Sequence, residues 1–263
     1  MGSVIYWCEF PETVNWGSLQ ELLERLDYKI IIYVPCKSMP QYVWWKQELK
    51  KTCPNIKEAN VWPILEKDEG YWFSGFTEIY NIDKLDEFNG EKMKIDLEMP
   101  IPNYNYSLLG MARYALKYLF RKAPNTNYLE NKILNMNKES DIIVNEFPFP
   151  KFILKRWGCY IEPRKGIRKN IMCYPTLFTR CYAKHAMKKA VRENKDVSVS
   201  IGLIGHGILR TEPVYKSIRQ LEEDILMAKK LGVKNIAVYS IDSIMSKEDP
   251  EPWLRAAREF SQA

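Results

Sequence analysis

Histidine is scarce in this chain, and cysteine lacks any paired spacing. Among 263 residues there are 2 histidines and 6 cysteines (Cys8, Cys36, Cys53, Cys159, Cys173 and Cys181), with no CxxC pair and no adjacent histidine that would complete a zinc site. No metal and no cofactor are therefore expected. Cysteines set in apolar runs behave as small hydrophobes, and this usage points to a reducing compartment, the cytoplasm. Long hydrophobic runs are also missing. Nothing approaches the roughly 20 apolar residues needed to span a bilayer, so no membrane partner is expected. A dominant charge sign is absent as well. The 39 basic residues are interleaved with 33 acidic ones for a net charge of +6, which argues against nucleic acid as a partner. The densest basic run, Arg164 to Lys169, reads as a solvated loop. No Pro-, Gly- or Ser-rich linker divides the chain, which implies one domain over residues 1–263. Oligomeric state is left open.

What is present is a regular alternation. Eight short β-branched or aromatic runs, at 4–10, 29–35, 60–65, 92–100, 141–147, 168–175, 197–205 and 235–242, are separated by stretches whose apolar residues return every three or four positions. Alternating β and α units build parallel sheets. Eight such units close most simply into a single (β/α)8 TIM barrel of the α/β class, whose sites lie at the C-terminal ends of the strands. The residues at those ends are rich in chemistry. Glu9 closes strand 1, Trp62 lies in strand 3 and Trp72 follows it, Asp96 and Glu98 close strand 4, and Glu146 closes strand 5. Tyr174 ends strand 6, His206 follows strand 7, and Tyr239 and Asp242 end strand 8. With 8 tryptophans and 16 tyrosines the chain has flat rings to spare for stacking a ligand.

The fourth strand, KMKIDLEMP, places Met93, Ile95, Leu97 and Met99 on one face and Lys92, Lys94, Asp96 and Glu98 on the other. Packed against helices on its apolar face, it turns Lys94, Asp96 and Glu98 into the barrel. A buried charge is costly unless paired, so Lys94 needs a carboxylate partner, with Asp96 or an acid on a neighbouring strand as candidates. The acid one layer below Glu98 can orient it or raise its pKa by like-charge repulsion, which prepares a general acid.

These residues carry a resemblance. KIDLEMP resembles the fourth-strand signature of the family 18 glycoside hydrolases, the chitinase-like barrels, D-x-x-D-x-D-x-E followed closely by Pro. Asp96 takes the place of the last Asp, Glu98 that of the acid and Pro100 that of the Pro. Glu91 and Lys94 stand where the first two Asp belong. NIMCYP is similar to the family's sixth strand and places Tyr174 where the substrate's N-acetyl group is contacted; IAVYSID is similar to the eighth, with Tyr239 in place of a Trp floor. The resemblance implies a carbohydrate ligand, an N-acetylated or related glycan. In it Glu98 protonates the glycosidic oxygen, and Asp96 and Tyr174 hold the acetamido group that attacks the anomeric carbon. Glu9, Trp62, Trp72, Tyr239, Asp242 and His206 are the expected substrate contacts. Three alternatives stand beside this one. Glu98 and Glu146 form a two-carboxylate pair; the barrel is catalytically inactive and binds a glycan or protein; or His206, flanked by Gly205 and Gly207, serves an unrelated barrel chemistry.

Overall fold

All eight expected strands form, and they close. The computed structural model describes residues 2–100, 108–119, 121–162 and 166–262, so part of the basic run, residues 164 and 165, lies outside the described residues. The strands are β1 (Ser3–Trp7), β2 (Ile30–Cys36), β3 (Ile56–Pro63), β4 (Met93–Asp96), β5 (Ile142–Glu146), β6 (Ile167–Met172), β7 (Ser198–Ile201) and β8 (Asn235–Tyr239). Each is parallel to its sequence neighbours, and β8 returns to pair with β1 from Ser3↔Asn235 to Trp7↔Tyr239. The fold is a single (β/α)8 barrel. Its main helices are α1 (Trp16–Arg25), α2 (Met39–Thr52), α3 (Ile79–Asp83), α4 (Leu108–Leu119), α5 (Thr126–Met136), α6 (Lys151–Trp157), α7 (Arg180–Glu193), α8 (Ile218–Lys230), α9 (Ile241–Met245) and α10 (Glu251–Gln262). Asn15 caps α1 by accepting from the Ser18 amide, and Thr179 caps α7 by accepting from Tyr182. Gly232 follows α8 at φ +78, a left-handed residue past the helix end where glycine is favoured.

Strand alternation sorts the side chains into two apolar bodies. Val4, Tyr6, Ile32, Val34, Met93, Ile95 and Val144 belong to the layer between strands and helices. Ile5, Trp7, Tyr33, Trp62, Ile143, Met172 and Ala237 fill the barrel itself. Lys94 and Asp96 alternate with Met93 and Ile95, so they point inward, as the period of two demands.

The regular ladders stop short of the expected C-terminal boundaries: β4 ends at Asp96, β6 at Met172 and β7 at Ile201. Alternation outlasts the ladder because the strands splay at the mouth, where loops replace neighbouring strands as partners. The β3–β4 seam shows how. These strands share only the Val61↔Met93 register pair, and the chain after β3 turns back so that Phe73 bridges in parallel to Leu97. The Phe73 amide donates to Asp96 O (3.1 Å), and the Glu98 amide donates to Phe73 O (3.0 Å).

This returning loop is anchored where two backbones touch. Gly158 caps α6 at φ +63, and a Cβ there would stand 2.5 Å from both the Cα and the N of Gly75, whose amide donates to Trp157 O (3.0 Å). Gly90 is equally left-handed, at φ +88, but a Cβ there would meet nothing within 4 Å. Gly90→Ala is expected to cost about 1 kcal/mol for the left-handed backbone alone. Gly158→Ala, which adds a backbone clash, is expected to cost about 2–3 kcal/mol. Urea unfolding of the two variants checks the order, and equal losses would show that the glycine contact carries no weight.

Candidate active site

At the C-terminal mouth the strand ends surround a cavity of about 300 Å³, at the small end of the roughly 300–1,000 Å³ typical of ligand pockets. Glu9, Trp62, Trp72, Asp96, Glu98, Tyr174 and Tyr239, all expected site residues, line it. Lys94 and Glu212 join them.

Lys94 forms the floor. It is 1 % exposed, its Nζ lies 3.1 Å from Asp96 Oδ2, and the faces of Trp62 and Trp7 stand 3.1 Å and 4.4 Å from it, measured to the ring centroids. Burial pulls the ammonium pKa down, and Asp96, Glu9 and Glu98 oppose that pull. Two indole faces and a carboxylate favour the cation, so the pair is ionic. Burial raises the Asp96 pKa, and Lys94, Asn145 and Trp62 counter it. Because Lys94 grips Oδ2, the second oxygen, Oδ1, stays buried without a hydrogen-bond partner among the described residues. Trp62 Nε1 and both amide atoms of Asn145 are likewise unpartnered. Asn145 lies directly opposite Asp96 in the β4–β5 register.

Glu98 stands one layer higher and is half-buried. Its carboxyl is pushed well above the ordinary range, first by burial, then by Asp96, with Lys94 opposing and Glu212 and Glu9 adding to the rise. It is thereby held protonated at a pH where an ordinary glutamate is ionised. Tyr174 is buried, with its ring 6.0 Å from that of Tyr239 in an edge contact. Burial, Asp96 and Glu98 keep its phenol protonated.

Glu9 completes the inward row Ile5, Trp7, Glu9 on strand 1 and is 4 % exposed. Tyr71 Oη donates to its Oε1 (3.3 Å) and the Ile208 amide to its Oε2 (3.3 Å). Tyr71 reaches it from a left-handed backbone at φ +62, an uncommon conformation for an aromatic residue and one that marks sites held in place by their surroundings. Burial, with Asp242 and Glu212 nearby, pushes Glu9 up to about 8. Glu212, in the loop after β7, is pushed up to about 7 by burial, although the Gly207 backbone partly offsets it. A Cβ on Gly207 would lie 2.8 Å from Glu9 Oε2 and 3.2 Å from Glu212 Oε2 and would clash with Tyr239 Oη. Only glycine lets these three groups converge.

Three expected site residues lie elsewhere. Glu146 shares its parity with Ile142 and Val144, so it faces outward. It is 2 % exposed, is held by Lys169 Nζ at 2.7 Å and 2.9 Å, and accepts from the Ile161 amide (3.1 Å). The expected Glu98–Glu146 pair does not form, because one residue of register separates the two faces of a strand. Asn145 holds the inward place instead. His206 is exposed and lies off the cavity, in the loop after β7. Asp242 sits at the start of α9 behind the site, where Oδ1 accepts from the Glu9 amide (2.9 Å) and fixes the end of strand 1. Glu212 escaped the sequence reading because it belongs to no periodic element. Its signal is slight, an acid before a proline in a long loop on the C-terminal side of the barrel. Among the described residues no cluster of three or more His, Cys, Asp or Glu has the arrangement of a metal site.

The raised carboxyls link folding to pH. A glutamate held up to about 8 in the fold and near 4.5 when unfolded contributes stability that is complete below about pH 4.5 and is lost as pH rises to 8. Wild-type protein is expected to lose stability between pH 5 and pH 8. In Glu9→Gln that loss should shrink by on the order of 3 kcal/mol. Urea midpoints at the two pH values test this, and identical slopes for both proteins would show that Glu9 is an ordinary carboxylate.

No protein-family profile and no curated protein sequence matches the chain. Solved structures do. The glycoside hydrolase domain of PgaB (BpsB) from Bordetella bronchiseptica aligns with a TM-score of 0.59 at 11% identity, over 95% of this chain and 97% of that one. Active domain 2 of a chitinase from Pyrococcus furiosus, solved as catalytic-site mutants, aligns with a TM-score of 0.53 at 9% identity, over 99% and 95%. At such identities the likeness is one of fold. The chain has the barrel architecture of chitinase-like and other glycoside hydrolase domains.

Proposed function

We propose that this barrel acts on an N-acetylated or related glycan, with Glu98 as general acid and Asp96 and Tyr174 assisting. The observation that carries the reading is the convergence of these three residues in one cavity at the catalytic end of the barrel, with Glu98 held protonated. A proton donor must be neutral before the reaction and close to a leaving oxygen, and a raised glutamate facing a sugar-sized cavity meets both needs.

In this mechanism the glycosidic oxygen takes the Glu98 proton as its bond to the anomeric carbon breaks. The substrate's own acetamido carbonyl closes on that carbon, so no protein nucleophile is required. The position of Glu146 on the outer face agrees with this, since no second carboxylate on β5 reaches the cavity. Asp96 supplies the carboxylate acceptor for the acetamido N–H, and Tyr174 supplies a hydroxyl donor for the carbonyl oxygen. Trp62 and Trp72 line the cavity as rings for the sugar faces.

One observation favours a second reading, a barrel that binds such a glycan without cleaving it. Lys94 fixes Asp96 by a buried ion pair. An acid so held cannot turn toward the substrate, and it keeps its charge beside Glu98 throughout.

Hydrolysis of fluorogenic N-acetylglucosamine oligosaccharides decides between the two. Glu98→Gln is expected to lower kcat by about 10²- to 10⁴-fold, and Tyr174→Phe to lower it less. Activity should fall as pH rises through the elevated Glu98 pKa, because the ionised form has no proton to give. Binding of the same sugars with no turnover by the unaltered protein would establish the second reading. The absence of both would end the glycan assignment.

A further inference from the structure

The cavity at the mouth has two chemical halves. Its ionisable groups Glu9, Lys94, Asp96, Glu98 and Glu212 stand on or just past β1 and β4 and in the loop after β7. On the side of β5, which lies across the eight-strand ring from β1, the same cavity is walled by Phe147, Phe149, Leu154, Trp157, Leu177 and Phe178. This wall is one aromatic body. Phe147 and Phe149 stack at 5.3 Å, Phe178 meets them edge-on at 6.3 Å and 6.0 Å, and Trp157 meets Phe149 edge-on at 6.2 Å. Phe147 follows Ile143 and Asn145 in the inward row of strand 5, so it carries the body to the edge of the cup. Phe147, Phe149 and Phe178 are half-buried and keep apolar surface open to the cavity.

These six side chains offer nothing to a hydroxyl. Trp157 Nε1 is spent on Tyr118 O (3.0 Å), and the other five carry no nitrogen or oxygen. The polar groups beside them are engaged as well, Tyr114 Oη with Pro100 O and Cys159 Sγ with Trp157 O (3.6 Å). A pyranose seated here buries hydroxyls without partners, and each unmatched group opposes binding. An aliphatic chain forfeits nothing and gains the burial of its methylenes.

Topology decides how such a chain is attached. β5 stands between β4 and β6. In the glycan reading Asp96, on β4, accepts the amide N–H, and Tyr174, just past β6, donates to the carbonyl. A trans amide is planar, with its N–H and C=O on opposite edges and its two carbon substituents at opposite ends. With the edges held by β4 and β6, one end faces β5 and the other the acid half. The sugar needs polar partners and takes the acid half, so the acyl carbon faces Phe147.

We propose that the aromatic half is an acyl pocket, and that the amino sugar bound in the cup carries on its nitrogen an acyl chain longer than acetyl. Phe147, Phe149 and Phe178 are then specificity-determining residues for that chain. This inference rests on the glycan reading of the cup.

The test is titration calorimetry on Glu98→Gln protein, so that nothing is consumed. The ligands are the methyl glycosides of N-acetyl-, N-butanoyl- and N-hexanoylglucosamine, and the octyl glycoside of N-acetylglucosamine. The butanoyl sugar is expected to bind about tenfold more tightly than the acetyl sugar, for its additional buried methylenes, with the hexanoyl sugar at least as tight. Adding Phe149→Ala should cut the gain from acetyl to butanoyl to about threefold or less. Should that variant fail to fold, Phe178→Ala carries the measurement. Equal affinity along the acyl series, or a gain that the substitution leaves whole, overturns the pocket, while binding of the acetyl sugar leaves the cup standing. A gain confined to the octyl glycoside also overturns it, because the apolar group then hangs from the anomeric oxygen. Failure of all four sugars to bind overturns the glycan reading and the pocket with it.

Discussion

The site depends on one buried cation. Lys94 lies inside the barrel at 1 % exposure, and taking an ammonium out of water costs several kcal/mol unless its surroundings return that energy. Here Asp96 and the faces of Trp62 and Trp7 do so. Much of the rest follows from satisfying this group. Asp96 is drawn onto Lys94 by one oxygen, and the other stays buried near Trp62 and Asn145. Its charge adds to burial in keeping Glu98 protonated one layer above, and the face of Trp62 lies against the same ammonium. A neutral residue at this position would release all three at once.

Around that cation the cup collects more acid than it neutralises. Glu9, Glu98 and Glu212 converge with Asp96 on one cavity that Lys94 alone serves as a base among the lining residues. Folding tolerates this by protonation: Glu9 and Glu212 are held up to about 8 and about 7, so near neutrality the site stores protons instead of unbalanced charge. Such a cup is chemically graded, with an ionic pair at its base and neutral carboxyls toward its rim.

The layout was legible because period and alternation are properties of the sequence alone. The apolar face of KMKIDLEMP sets Met93 and Ile95 against the helices and turns Lys94, Asp96 and Glu98 into the cavity, although Leu97 and Met99 also line its wall. The same rule, applied with care to DIIVNEF, places Asn145 inward and Glu146 outward, since Ile142 and Val144 share the apolar layer. Its place at a strand end points Glu146 toward the mouth, but its parity with Ile142 and Val144 turns it outward. Asp242 and His206 could not be assigned that way. They sit in a short helix and a loop, where side-chain direction is set by tertiary contacts such as the Glu9 amide bond to Asp242. Glu212 was illegible for the same reason, and so was the pairing of Phe73 with Leu97, which joins residues that no periodicity connects.

That pairing separates what holds Glu98 from what holds the barrel. Both backbone bonds that flank Glu98 reach outside β3: Leu97 donates to Asn145 on β5, and Glu98 donates to Phe73 on a loop. The barrel closes through its own ladders without consulting that loop. Insertions or replacements between residues 64 and 73 can therefore shift the reach of Glu98 and the lean of Trp72 while the eight strands keep their register. The acid's position and the barrel's shape are therefore set by separate contacts, and this one loop is where the first can change while the second stands.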